Sequence, residues 1–99
     1  ALSESDVLQL RQDGLPASTL MIDDLPETLT QLLVDAGMAP SGKQVKDALG
    51  RDAVTINNRP VGWAQNTGVA ACFDAPGALF GRFFLVRLGK KKYHLFEIG

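Results

Sequence analysis

The sequence has almost none of the residues from which metal and redox centres are built. It holds one cysteine, Cys72, and one histidine, His94, in 99 residues. A lone cysteine excludes an internal disulfide, points to a reducing compartment, and reads as a small buried filler, not a nucleophile. A lone histidine with no cysteine or carboxylate at ligand spacing predicts no metal site, and a strand-face position is its default reading. No run of ~18 apolar residues is present, which excludes a helical membrane span. No signal peptide is visible, and the start at Ala1 instead of Met suggests a piece of a longer protein. No carboxylate pair shares a site, and no Ser-His-Asp set has supporting context, so no catalytic residue is assigned.

Positive charge is nearly missing from the first forty residues. Residues 1–40 carry one basic residue, Arg11, against seven acidic ones, for a charge of −6. Residues 41–99 carry nine basic and four acidic residues, for +5, and the whole chain has a net charge of −1. Such asymmetry predicts one basic face, although a polarised surface without a partner has the same signature.

What is present is arranged around SGKQVKDALGRDAVTINNR, residues 41–59. Ser41 is a suitable N-cap, and Gln44 completes a capping-box spacing. Val45, Ala48 and Leu49 share one apolar stripe, which turns Lys43, Gln44 and Lys46 toward solvent. Gly50 can end the helix in a left-handed conformation. Ala53–Ile56 is β-prone, and Asn57-Asn58 is turn chemistry. Amines near the positive end of a helix, followed at once by a strand and a polar turn, suit a phosphate backbone.

Elsewhere, residues 2–14 predict a first helix capped by Ser3, with Asp6 in its first turn, a staple between Leu2 and Val7, and a stop at Gly14 before Pro16. Leu20-Met21-Ile22 is a short apolar run that fits an edge strand. Residues 23–38 predict a helix with a box between Asp24 and Glu27 and an apolar face of Leu25, Leu29, Leu32, Leu33 and Ala36. Gly37 and Pro40 stop it, so the two helices make an αα-hairpin. Gly37–Lys43 imitates a nucleotide-binding G-x-x-x-x-G-K loop. Gln44 stands where a magnesium-binding Ser or Thr belongs, a helix precedes it, and Pro40 removes an N–H, so ATP is not expected there. Residues 62–81 are the hardest to read. A strand over Val69–Phe73 is expected within them, and Trp63 reads as either a loop anchor or a platform for stacking an RNA base. Residues 82–99 predict a hairpin of Phe83–Leu88 and Tyr93–Ile98 about Gly89-Lys90-Lys91-Lys92. Its lysines are a solvated turn or, with Arg82 and Arg87, an extension of a basic surface.

Three stretches resemble known proteins. Ala36-Gly37, Ser41, Val45-Lys46, Leu49 and Val54-Thr55-Ile56-Asn57-Asn58 resemble the small RNA-binding module named after the fourth small-subunit ribosomal protein. LFGRFFLVRLGKKKYHLFEI at 79–98 resembles the end of bacterial-type tyrosyl-tRNA synthetases, and the opening LSESDVLQLRQDGLP resembles the linker between the body and the tail of those enzymes. Gly42, Asn58 and Leu88 depart from the pattern, at positions where a basic residue, Gly and Arg are usual.

The resemblance implies an α+β fold: a linker helix and extended segment over 1–22, then an S-four-like RNA-binding domain over 23–99 with the αα-hairpin on a small antiparallel sheet near 53–57, 69–73, 83–88 and 93–98. It implies a cytoplasmic parent, or an organellar one, that is a homodimer and joins tyrosine to its tRNA with ATP and magnesium. This chain would bind no cofactor and would hold the tRNA near the variable arm and anticodon stem, beside its own catalytic domain. The expected RNA contacts are Ser41, Lys43, Gln44, Lys46, Arg51, Asn57 and Arg59, then Arg82, Arg87, Lys90, Lys91 and Lys92. The rival readings are an RNA module of a modification or ribosome-associated protein, and a protein-interaction or linker domain that binds no RNA.

Overall fold

The computed structural model describes residues 3–73 and 77–99. The expected staple involving Leu2 and the charge of Asp74 lie outside these residues. The centre of the fold is a hairpin of two long strands, β4 (Phe83–Leu88) and β5 (Lys92–Ile98), paired antiparallel from Phe83↔Glu97 to Leu88↔Lys92. β2 (Val54–Ile56) lies antiparallel to β4, and β3 (Arg59–Val61) lies antiparallel to β2. Asn57 and Asn58 make the two-residue β2–β3 turn with φ of 51° and 69°. Positive φ at both central positions matches the twist of the strands, and Asn tolerates it better than most residues.

Alternation along the strands gives the sheet two different faces. Phe84, Val86 and Leu88 join Val54, Ile56 and Phe96 in the main core, which is covered by the helices α2 (Leu29–Asp35) and α3 (Gly42–Gly50). Phe83 and Leu95 face the other way and meet Val7 of α1 (Glu4–Gln12) in a smaller cluster. Ser3 and Asp6 close a reciprocal capping box at the start of α1.

Four features differ from the sequence expectations. The sheet is mixed, not antiparallel: β1 (Ala17–Leu20) pairs parallel with the outer edge of β5. This edge strand takes in only the first residue of the run Leu20-Met21-Ile22: Leu20 is buried, whereas Met21 and Ile22 are exposed. It also comes from the segment expected to be a linker, so the division at 22/23 falls beside a sheet shared by both parts. Second, α2 begins at Leu29 behind an N-cap at Thr28, not at Asp24. Pro26 disfavours helical backbone at Leu25, whose φ and ψ are −74° and 143°, and so breaks the longer helix.

Third, Val69–Phe73 is not a strand: Val69–Cys72 forms a short helix, α4. Val69 and Phe73 are both buried, and spacing of four brings them to one helical face while Ala70 and Ala71 stay exposed. Phe73 then packs edge-on against Phe84 and Phe96, with ring centroids 5.1 and 5.9 Å away. Fourth, Gly50 is the last helical residue of α3, and Asp52 takes the left-handed conformation with φ of 55°. Gly37 does act as the expected stop of α2, with φ of 81°.

His94 ties β1 to the sheet. It is buried beside Phe96, and its Nε2 shares a 2.7 Å hydrogen bond with Ser18 Oγ. Burial disfavours the imidazolium and holds His94 below its ordinary value of 6.5. The unfolded chain therefore takes up a proton that the folded chain resists. Stability is complete above 6.5 and declines as pH falls through the lower folded-state value. The melting temperature is expected to drop through this window, and His94→Gln to flatten that part of the profile. A His94 ring resonance that titrates at 6.5 or above in the folded chain contradicts this account.

Candidate nucleic-acid interface

The site is built on α3. Val45, Ala48 and Leu49 are buried, which leaves Lys43, Gln44, Lys46, Asp47 and Arg51 exposed. Ser41 is the N-cap with extended backbone, but its side chain makes no capping bond, so the expected box with Gln44 does not form. Among the described residues the amides of Gly42, Lys43 and Gln44 have no acceptor. These N–H groups and the positive end of the helix lie open to an anion.

The start of α3 lies close against α2. A Cβ on Gly42 would stand 3.1 Å from Thr30 Cγ2. The small residue at a position where the resembled family has a basic one therefore has a packing reason. α2 itself is held at its N-terminus by Asn66, 36 residues away from Thr30 in sequence. Leu29 N–H donates to the Asn66 carbonyl at 2.8 Å, and Asn66 Oδ1 accepts from Thr30 N–H at 3.0 Å and from Thr30 Oγ1 at 2.7 Å. Thr28 Oγ1 takes the Gln31 N–H at 3.1 Å.

Two recesses flank α3. One is lined by Lys43 and Lys46 of α3, Thr28 and Gln31 at the start of α2, and Trp63 and Asn66 of the following segment. The other lies between α3, with Gln44, Asp47 and Arg51, and the hairpin tip, with Lys90, Lys91 and Lys92. Lys92 Nζ donates to the Met38 carbonyl at 3.4 Å, so the tip is tied to the bend between α2 and α3. Arg51 pairs with Asp47 one turn back at 3.1 Å, an exposed ion pair that constrains little. Lys43, Lys46, Lys90 and Lys91 have no ion pair among the described residues.

Ser41, Lys43, Gln44, Lys46, Arg51 and the three tip lysines are thus brought together about α3. The other four expected residues are not. Asn57 is used structurally: its Nδ2 donates to the Gly77 carbonyl at 3.0 Å, and its Oδ1 accepts from Leu85 N–H at 2.8 Å. Arg59 lies on the edge strand β3 and lines a separate concavity with Pro60 and Cys72. Arg82 is held on the α1 side by Glu97 at 3.2 Å and Glu4 at 3.5 Å, with its guanidinium 4.5 Å from the Phe83 ring centre. Arg87, opposite Thr55 and Tyr93, alternates with Leu88 onto the face away from the main core.

Thr30, Gln31 and Asn66 were not anticipated. Asn66 sits in the turn-forming run Gln65-Asn66-Thr67-Gly68, which announces a turn but not what it caps. Cys72 is half-buried with its Sγ 3.8 Å from the Gln65 carbonyl. Burial pushes its thiol up, which disfavours the reactive thiolate.

The described residues form a small α+β domain with two exposed lysines on α3, and no three His, Cys, Asp or Glu side chains among them converge on a metal-sized space. The family model described as tyrosine–tRNA ligase SYY-like C-terminal domain matches residues 6–96, and the chain belongs to that family. It is similar to tyrosine–tRNA ligases of Aliivibrio salmonicida, 31% identical over 96 residues, and Serratia proteamaculans, 38% over 96 residues. That of Salmonella paratyphi B is 39% identical over 95 residues. The alignments take in 96–97% of this chain but 20–21% of those proteins, so the chain spans about a fifth of the length of the curated relatives it matches.

Asn66→Ala tests the frame of the site. It leaves two buried donors of Thr30 without an acceptor and should cost about 2 kcal/mol, or ~8–16 °C in melting temperature for a domain of this size. A variant that melts within a degree or two of the parent contradicts the assigned cap.

Proposed function

We propose that this chain is the tRNA-gripping C-terminal domain of a tyrosine–tRNA ligase, and that α3 with the β4–β5 tip is its phosphate-binding surface. The observation that carries the reading is the gathering of lysines from residues 43–46 and 90–92 on the two sides of one helix, in a chain whose net charge is −1. Matching to the C-terminal family supports it, and so do relatives whose names specify tyrosine and tRNA. The paired helices α2 and α3, packed on the sheet and followed by β2 and an Asn-Asn turn, support an S-four-like module.

The chemistry follows from charge and shape. A-form RNA has a major groove too narrow for side chains, so a helix like α3 meets it from outside, through backbone phosphates and sugar hydroxyls. Lys43, Lys46 and the tip lysines neutralise phosphates and release counterions, while Ser41, Gln44 and the open amides of the first turn supply hydrogen bonds. Arg51 can leave Asp47 for a phosphate at little cost, because exposed pairs are worth little. The parent attaches tyrosine to its tRNA, with ATP and magnesium bound outside this chain. It works as a homodimer in the cytoplasm or an organelle, and this domain holds the variable-arm and anticodon-stem side of the tRNA.

Replacing Lys43 and Lys46 by Glu together should weaken tRNA binding at least tenfold at moderate salt. It should also lower the slope of log K against log salt by roughly 1.4–1.8. Because both side chains are exposed, melting should stay near that of the parent. Filter binding over a salt series measures both. Unchanged affinity and slope in a normally melting double variant would falsify the placement of the phosphate surface.

A further inference from the structure

We propose that the recess between Trp63 and α3 is a subsite for one unpaired nucleotide, whose base stacks on the indole while its phosphate lies toward Lys43 and Lys46. This rests on the RNA-binding reading above and adds to it a place where a base, and not only a backbone, is held.

A single exposed apolar side chain needs no explanation. Here three independent features coincide. Trp63 is 57% exposed, although it is the chain's one tryptophan and its largest apolar side chain. It stands on a rigid base: Asn66 N–H donates to the Trp63 carbonyl at 3.1 Å, and Gly62 N–H donates to Gln65 Oε1 at 2.7 Å across the same turn. Asn66 in turn is buried and bonded to Thr30 of α2, so the backbone that carries the indole is tied to α2 before any ligand arrives. Finally, the recess has two lysines and no acidic residue in its lining, whereas the recess on the other flank of α3 contains Asp47.

Each feature selects against other occupants. A duplex offers phosphates but keeps its bases stacked inside, so it would use the lysines and leave the indole idle. An acidic peptide supplies charge but no extended π-face. An unpaired nucleotide supplies both, with a base that stacks on tryptophan without sequence preference. A turn held in place before binding also lowers the ordering cost. Thr28 and Gln31 also line the recess; Thr28 Oγ1 accepts the Gln31 N–H and the Gln31 amide donates to Asp35 at 2.6 Å, so they complete its polar wall.

The sole tryptophan makes the test direct. The 99-residue chain is titrated with tRNA while Trp63 fluorescence is followed, and affinity is measured separately for Trp63→Ala and Trp63→Phe over a salt series. The expected result is quenching on binding, a loss of roughly 5- to 150-fold for Trp63→Ala with the salt slope unchanged, and substantial recovery in Trp63→Phe. Normal tRNA affinity in Trp63→Ala together with unaltered Trp63 emission overturns the subsite but leaves the phosphate surface standing. Quenching of equal strength by poly-glutamate, which has charge and no bases, also overturns it, in favour of an acidic protein partner. Absence of any salt-sensitive tRNA binding by the parent chain overturns the subsite and the RNA reading together.

Discussion

The register of β4 against β5 is the constraint on which the rest of the molecule depends. Each of the six pairs from Phe83↔Glu97 to Leu88↔Lys92 decides which side chain faces α2 and α3 and which faces α1. A slip of one residue would turn Phe84, Val86 and Leu88 out of the main core and bring Phe83, Leu85 and Arg87 into it. The same register sets where the turn falls. With Leu88 opposite Lys92, the tip is Gly89-Lys90-Lys91, and it projects beside α3. Burial of the hairpin and delivery of its lysines are therefore one event, because the apolar residues that fix the pairing also aim the cations.

A second constraint acts from the other side of the interface. α2 has only seven residues, and a helix this short has little stability of its own. It is fixed by its buried face and by Asn66, which consumes N–H groups of the first turn that would otherwise be orphaned. α3 is treated differently. Its first-turn amides have no protein acceptor among the described residues, and Ser41 does not cap them. Two adjacent helices thus show the two fates of a helix start: one closed by the protein for stability, the other left open beside lysines. Gly42 allows the close contact with Thr30 that links them.

Much of this was legible because the deciding interactions are local. The Ser3 cap, the stripe Val45-Ala48-Leu49, the Asn57-Asn58 turn and the alternating hairpin depend on neighbours within a few residues. What was hidden depends on distant partners or on one competing local rule. Leu25 before Pro26 cut the predicted helix short, and the apparent Asp24–Glu27 box outweighed that signal. Val69 and Phe73 fit a strand by composition and a helix by spacing, and only contact with Phe84 and Phe96 decides between them. β1 pairs in parallel with a strand at the far end of the chain, which no local pattern announces. In the site, charge alone cannot separate Arg82 from Lys43, since the difference lies in Glu4 and Glu97, which the fold places beside Arg82.

The net charge of −1 is a poor guide to the surface for a related reason. The acidic helix α1 packs on one face of the sheet, and α2 and α3 pack on the other. Each layer adds roughly 10 Å, so the two helical layers are separated by about 20 Å. At physiological ionic strength the screening length is only ~8 Å, so the carboxylates of α1 barely reduce the potential at Lys43 and Lys46. Glu4 and Glu97 are further spent on Arg82, and Arg11 on Glu97, which neutralises charge on the α1 side and not on the α3 side. At very low salt the screening length grows to ~30 Å, comparable with the longest dimension of the molecule, 34 Å, and the acidic half then opposes the basic one. The fold therefore gives a nearly neutral chain a locally cationic surface, and most fully where ions screen its far side.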